Sequence, residues 1–383
     1  MLFRFDLPDR DEIRNSPNGR KMLGLIEDDS DAFGNMITGC PGSGKTTVSI
    51  YRFIYLFSKG NTAYLLTFQK MLRHAIKNLI LTKFDGNEAE YVNTFYRWLC
   101  DNTHYFDFEN ATKSDQEVTD DLIESFKNIN VEEVIIDEAQ DLPKQVFRTI
   151  PNLFKRIMIG ADNAQQIHSS GAREEEILDS LDNLGKGIIK KVELQYNYRN
   201  SFEIYNFARH FVLFDKKAND TNLLERLKRK RAELPVIYLV DSDDVKLDRL
   251  RRLLKNTKGN IAVLLAGRLQ VNDYYKKIKS FDIDCSWYHS DLRDVPEELQ
   301  RILITTYKSA KGLEFDAVIL PYTDFQDDPI KRREYYVACT RAKRNLFIIC
   351  YKKIDDLFSE FDANSFEIRD LRGTSASPED IPF

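Results

Sequence analysis

Three observations predict an α/β protein with two parallel sheets, each flanked by helices. Gly39-Cys40-Pro41-Gly42-Ser43-Gly44-Lys45-Thr46 is a complete G-x-x-x-x-G-K-[ST] phosphate-binding loop. The apolar run 131–136 ends in the acidic pair Asp137-Glu138. Beyond residue 190, strand-like apolar runs alternate again with helix-patterned segments. Parallel neighbours need a crossover connection, so repeated strand–helix units are the signature of a parallel sheet.

The loop has the context it needs. Residues 33–38 contain a short apolar run, readable as a strand, and 47–57 carry Val48, Ile50, Phe53, Ile54 and Phe57 at helical spacing. Glycines let successive backbone N–H groups turn inward around phosphate oxygens. Strand, loop and helix in that order bring a helix N-terminus against the phosphates. Gly39, Pro41, Gly42, Ser43, Gly44, Lys45, Thr46 and Thr47 are therefore the predicted nucleotide contacts. Lys45 reaches for the β- and γ-phosphates, and the Thr46 hydroxyl for Mg²⁺.

The rest of the first half follows in order. Residues 1–31 are polar, with Pro8, Pro17 and Gly19 as breakers. Residues 63–68 read as a buried strand, followed by a helix with Met71, Leu72, Ile76, Leu79 and Ile80 on one side. A second short unit ends at Asn93-Thr94-Phe95-Tyr96-Arg97-Trp98-Leu99, and 101–130 is acidic, weakly patterned and expected to be a small insert. The run 131–136 is a buried strand that delivers two carboxylates at its C-terminal end. Asp137 is expected to hold Mg²⁺ through water, and Glu138 to orient or deprotonate the attacking water.

Another strand with polar residues at its end covers 156–166. Residues 192–200 then lead into a helix with Ile204, Phe207 and Phe211. Runs at 236–240, 245–254, 261–265, 269–278, 302–306, 317–320 and 345–350 make the second set of units. A boundary near Gly185–Ile188 divides the chain into a first domain, 1–187, and a second, 188–372. Residues 373–383 are expected to be a disordered tail.

Composition limits the partners. The net charge of −5 means that nucleic-acid binding needs a local basic surface. The run Leu224-Glu225-Arg226-Leu227-Lys228-Arg229-Lys230-Arg231 is one candidate for phosphate contact, or else a solvated helix face. Five cysteines without a C-x-x-C pair suggest reduced thiols in the cytoplasm. Residues 1–20 are too polar for a signal peptide, and no stretch approaches the ~20 apolar residues of a membrane span. His168, His210 and His289 have no metal-ligand spacing.

With these stretches in hand, the chain resembles a superfamily 1 helicase motor of the UvrD/Rep type, from the phosphate loop to about Arg344. Seven motifs stand in the right order. The resemblance implies two RecA-like domains with ATP and Mg²⁺ between them, and Asp137-Glu138 as the Walker B pair. It implies that Thr67, Phe68, Thr94, Phe95 and Lys308 touch nucleic acid. Gln165 would sense the γ-phosphate, Tyr198 would stack on adenine, and Arg199 and Arg341 would bind phosphate across the cleft. In Thr306-Tyr307-Lys308-Ser309-Ala310-Lys311-Gly312-Leu313-Glu314-Phe315, Gly312 would lie near phosphate and Glu314 near the ribose. The catalytic set is then Lys45, Asp137, Glu138, Gln165, Arg199 and Arg341.

What the resemblance implies is an ATP hydrolase that moves on single-stranded nucleic acid, DNA more than RNA, 3′→5′. The alternative is a nucleic-acid-stimulated ATPase subunit that loads or regulates a partner such as a nuclease. The chain also departs from the pattern. The first glutamine is Gln69, so the adenine-reading glutamine upstream of the loop is missing. Ile167-His168-Ser169-Ser170-Gly171-Ala172 lacks the usual aromatic of the base-stacking platform, which predicts a weaker grip. Lys308 stands where a histidine is usual, and the large inserts of bigger relatives are absent or reduced.

Overall fold

The computed structural model describes residues 3, 5, 7–83, 87–102, 114–126, 131–215, 224, 227, 232–321 and 325–374. It divides into two compact units, Phe5–Tyr198 and Arg199–Phe383, the latter with Met1–Arg4. Among the described residues, no helix is long and apolar enough to cross a membrane.

The first unit is built on β1 (Gly34–Gly39), β2 (Ala63–Thr67), β3 (Val92–Thr94), β4 (Glu133–Ile136), β5 (Arg156–Ala161) and β6 (Ile189–Leu194). Their order is β3-β2-β4-β5-β1-β6, and every pairing is parallel. The helices are α1 (Arg10–Arg14), α2 (Gly19–Ile26), α3 (Lys45–Ser58), α4 (Lys70–Lys83), α5 (Phe95–Asn102), α6 (Asp115–Phe126), α7 (Lys144–Thr149) and α8 (Glu174–Asp182). Strands β1 and β4 are buried along their whole length, as central parallel strands must be. Gly34 is required by the pairing itself: a Cβ there would lie 2.1 Å from the Ile157 carbonyl oxygen.

Glu133, an apparent interruption in the apolar run, is a buried ion-pair partner. Arg52 donates to it from Nε at 3.1 Å and from Nη2 at 2.7 Å, and Arg52 Nη1 donates to the Ile26 carbonyl at 3.2 Å. Arg156 Nε also lies 3.6 Å from Glu133, so removing Glu133 would strand the buried Arg52 charge, at a cost of roughly 3–5 kcal/mol, while removing Arg52 leaves Glu133 one weaker partner.

Two expectations change here. The 187/188 boundary falls before β6, which pairs with β1 from Gly34↔Ile189 to Gly39↔Leu194, so the first unit continues to Tyr198. As an edge strand with exposed Lys190, Lys191 and Glu193, β6 has only a weak apolar signal. Half of the expected insert is also core structure, since α6 buries Val118, Leu122 and Phe126 in the same cluster as Trp98 and Phe147. The remainder of that stretch, 103–113 and 127–130, lies outside the described residues, as do 375–383 of the expected tail. Of the basic run, only the buried Leu224 and Leu227 are described.

The second unit holds β7 (Val236–Val240), β8 (Ile261–Leu265), β9 (Ser286–Tyr288), β10 (Ile302–Thr306), β11 (Phe315–Leu320), β12 (Ala342–Tyr351) and β13 (Glu367–Asp370). The order is β13-β7-β12-β11-β8-β10-β9, again parallel throughout. It is flanked by α9 (Phe202–Arg209), α10 (Asp243–Asn256), α11 (Arg268–Lys279) and α12 (Pro329–Cys339). Tyr238, Leu250, Val263, Ile304, Ile319 and Ile349 pack in one core between sheet and helices.

Candidate functional site

In the first unit the glycine-rich loop Gly39–Thr46 joins the C-terminal end of β1 to the N-terminus of α3. Gly39, Gly42 and Gly44 take φ of 154°, 70° and 98°, which side-chain-bearing residues rarely adopt. Space is short as well: a Cβ on Gly39 would meet the Leu194 carbonyl at 2.5 Å, and one on Gly44 the Met22 methyl at 2.8 Å. The backbone of Tyr198 donates to the Gly42 carbonyl at 2.7 Å, bracing the loop from the end of the unit. The Tyr198 hydroxyl accepts from the Asn18 N–H at 2.8 Å and lies 3.1 Å from Ser16 Oγ.

The charged side chains around the loop form one connected set. Lys45 donates to the carbonyls of Gly39 at 2.6 Å and Cys40 at 3.1 Å, and its ammonium is 3.6 Å from Asp162. The Thr46 hydroxyl donates to Asp137 Oδ2 at 2.7 Å. Asp137 Oδ1 is buried without a hydrogen-bond donor. Burial, and next the neighbouring Glu138 charge, push the Asp137 carboxyl up to about 7, against the pull of Thr46 and Lys45. Glu138 has φ of +59°, a left-handed turn that ends β4 sharply. Gln140 Nε2 donates to Glu138 at 2.6 Å, while Gln140 Oε1 accepts from the Asp162 N–H at 3.1 Å. Gln165 Nε2 donates to Asp162 at 2.7 Å. Lys45, Asp162, Gln140, Glu138 and Gln165 thus share one buried polar chain.

The residues expected to meet nucleic acid separate into two groups. Thr67, Thr94 and Phe95 are buried, and Thr94 Oγ1 accepts from the Arg97 N–H at 3.3 Å at the start of α5. Phe95 packs against Tyr96 and Trp98 in the core, so its expected role at the strand surface is corrected. Phe68, by contrast, is half-buried at the end of β2. Its ring centroid lies 4.5 Å from His168 and 6.0 Å from Tyr96, both also half-buried. A cluster of rings therefore stands at the C-terminal ends of β2, β3 and β5, with His168 where the usual platform aromatic is lacking.

The second unit gathers its own group. Arg199 donates from Nε to Glu314 at 3.0 Å, and Lys343 lies 3.5 Å from the other Glu314 oxygen. Burial raises the Glu314 carboxyl, but the Arg199 guanidinium and then the Lys343 ammonium outweigh it and hold it below its ordinary value. Asn200 Nδ2 donates to the carbonyls of Thr340 at 3.0 Å and Ala342 at 2.6 Å, clamping the turn that carries Arg341. Arg341 is buried and donates from Nε to the Val337 carbonyl at 2.9 Å. Gly312, in the same neighbourhood, takes φ of 83°. Lys308 is 3.1 Å from Glu334.

Comparison with known proteins decides the lineage. The profile of the UvrD-like helicase C-terminal domain family matches residues 64–353. The chain belongs to the UvrD-like helicase C-terminal domain family. A 56-residue stretch is 43% identical to the RecBCD enzyme subunit RecB of Chlamydia pneumoniae, covering 14% of this chain and 5% of that protein. Two solved structures share the fold: S. cerevisiae Dbp5 bound to RNA and ADP BeF3 (TM-score 0.51, 14% identity) and a point variant of it in the same complex (0.52, 15%). Each comparison covers 93% of this chain and 90% of that one. The sheets are thus RecA-like.

The UvrD-like profile begins at β2, beyond the phosphate loop, so the nucleotide reading rests on the loop's own residues. Gly160 was missed in the sequence because its role is negative: a Cβ there would lie 2.9 Å from Asp137 Oδ1. Gln140, Asp162, Asn200 and Lys343 were missed too, because each has a partner remote in the chain. The run Gly160-Ala161-Asp162 at the end of a strand was the one available signal for two of them.

Proposed function

We propose that this chain is an ATP-hydrolysing motor on single-stranded nucleic acid, DNA rather than RNA, moving 3′→5′. The observation that carries the reading is the polar chain from Lys45 through Asp162 and Gln140 to Glu138, with Thr46 bonded to Asp137 beside it. In this reading the loop N–H groups and Lys45 bind the phosphates. Glu138, fixed by Gln140, takes the proton of the attacking water or orients it. Gln165 registers the γ-phosphate through Asp162. Tyr198, pinned by Asn18 and Ser16, takes the adenine face, and Glu314 the ribose. Arg199 and Arg341 stabilise transition-state charge, as arginine side chains do in phosphoryl transfer.

The residues fit Mg²⁺. Thr46 offers a hydroxyl, and Asp137 keeps a buried oxygen without a donor in a setting that disfavours its own charge. Among the described residues no group of three or more His, Cys, Asp or Glu could hold a metal, so the ion would depend on Thr46, Asp137 and the phosphates. When bound, Mg²⁺ neutralises charge on the β- and γ-phosphates.

Phe68, Tyr96 and His168 offer faces on which bases can stack, at roughly 1–3 kcal/mol per base. Opening DNA costs about 1.4 kcal/mol per step on average. A small ring cluster without large inserts supports movement on single strands and poor unwinding of long duplexes. A second reading, an ATPase subunit that loads or regulates a partner such as a nuclease, is favoured by the likeness to RecB, whose name makes it a subunit of a larger enzyme. ATP turnover measured with no nucleic acid, with single-stranded DNA and with RNA tests the first reading; turnover indifferent to both polymers would refute it. Strand displacement on a short and a long tailed duplex separates the two readings, since robust unwinding of the long duplex by the isolated chain favours an autonomous helicase.

A further inference from the structure

Glu334 is a carboxylate with 2% of its side chain exposed, and it lies between two lysines of unequal attachment. Lys331, one turn earlier on α12, donates a hydrogen bond to Oε2 at 3.2 Å. Lys308, on the loop after β10, sits 3.1 Å from Oε1, yet no described group donates a hydrogen bond to that oxygen. Lys308 is held by charge without an aligned bond, and its side chain is 46% exposed against 38% for Lys331. The backbone around it is fixed. Ser309 N–H bonds to Thr306 Oγ1 at 3.1 Å, Lys311 N–H to the Lys308 carbonyl at 3.2 Å, and Tyr307 packs edge-on against Tyr335 of α12 at 6.0 Å. Against this fixed backbone the half-exposed Lys308 side chain can swing away.

We propose that Glu334 is a positioning residue for strand binding: it restrains Lys308 in the absence of nucleic acid and yields it to a strand phosphate. Lys331 makes the exchange affordable, because the buried carboxylate keeps one cation and one hydrogen bond after Lys308 leaves. A phosphate must then outcompete an existing ion pair, which lowers affinity for weakly held strands and leaves α12 with a different charge environment once a strand is bound. The inference rests on the reading that Lys308 meets the strand.

The test is the affinity of the full chain for a fluorescent single-stranded oligothymidylate, as a function of salt. Glu334→Gln removes the charge and keeps the shape; Glu334→Met suits the buried position if glutamine perturbs folding, and melting curves verify both. Each is expected to bind about two- to fivefold more tightly than the wild type, the range for one half-exposed ion pair. The gain should vanish when Lys308→Met is added, and should shrink at high salt. A side chain of purely structural role would give no gain, or one that survives without Lys308, and either result overturns the proposal. If Lys308→Met alone leaves affinity and its salt slope unchanged, the strand role of Lys308 fails first and the latch with it.

Discussion

The two units hold their candidate residues in contrasting ways. In the first, Lys45, Asp162, Gln140, Glu138 and Gln165 are joined in one buried chain of hydrogen bonds and an ion pair, with Thr46 and Asp137 alongside. In the second, the cations are held by local acceptors: Arg199 by Glu314, which also meets Lys343; Arg341 by the Val337 and Leu313 carbonyls and Thr340 Oγ1; Lys308 by Glu334, which also meets Lys331. A connected polar network in a low-dielectric setting is rigid, because each member fixes the next. Smaller local groups can be broken one at a time. In the proposed reading, the first unit is pre-organised for chemistry, while the second supplies charges that leave one partner to serve another.

The strongest way to break this comparison is within the network. Glu138→Gln should keep ATP binding and lower turnover by about 10³-fold, within the range for general base catalysis. Near-normal hydrolysis by that variant would remove Glu138 from the chemistry. Lys45→Ala should instead lose nucleotide affinity, which equilibrium binding would register directly.

The arginines come next. Arg199→Ala and Arg341→Ala are each expected to reduce turnover by about 10², less than a lone arginine finger because two share the charge. Nucleotide affinity should change little. Loss confined to affinity would deny them a role in the transition state, and thermal melting separates that outcome from damage to the Arg341 turn.

Gly160→Ala is a subtler probe of pre-organisation. The new methyl must displace the Asp137 carboxylate, so the variant should lose about 1–3 kcal/mol of stability, the usual cost of overpacking. It should also need more Mg²⁺ for the same turnover. A Mg²⁺ titration indistinguishable from that of the wild type would show that Asp137 is not tuned by this contact.

The smallest effect belongs to the second unit. Glu314→Gln removes the charge that holds Arg199 and Lys343, so the release of Arg199 should become easier. A two- to fivefold change in the Michaelis constant for ATP is expected, about the strength of one partly exposed ion pair. A hundredfold loss would mean that the proposed Glu314 contact with the ribose, and not its hold on Arg199, dominates.

What the sequence determined by itself was the local chemistry. Gly39 to Thr46 marks the glycine-rich loop between β1 and α3, because glycine conformations and one lysine define it, and those are properties of adjacent residues. The alternation of strand and helix patterns likewise specified parallel sheets, since a buried parallel strand reads as an unbroken apolar run. Whatever depended on partners remote in the chain was settled only by the tertiary structure. Glu133 looked like a flaw in a strand until Arg52, far away in sequence, paired with it. The edge strand β6 has too few buried side chains to announce itself, and only its register with β1 assigns it to the first sheet. Phe95 and Phe68 are the same residue type at the ends of neighbouring strand units, yet one is core and the other half-buried beside His168. The period of a strand or helix says which residues share a face; which face meets solvent depends on what packs against it.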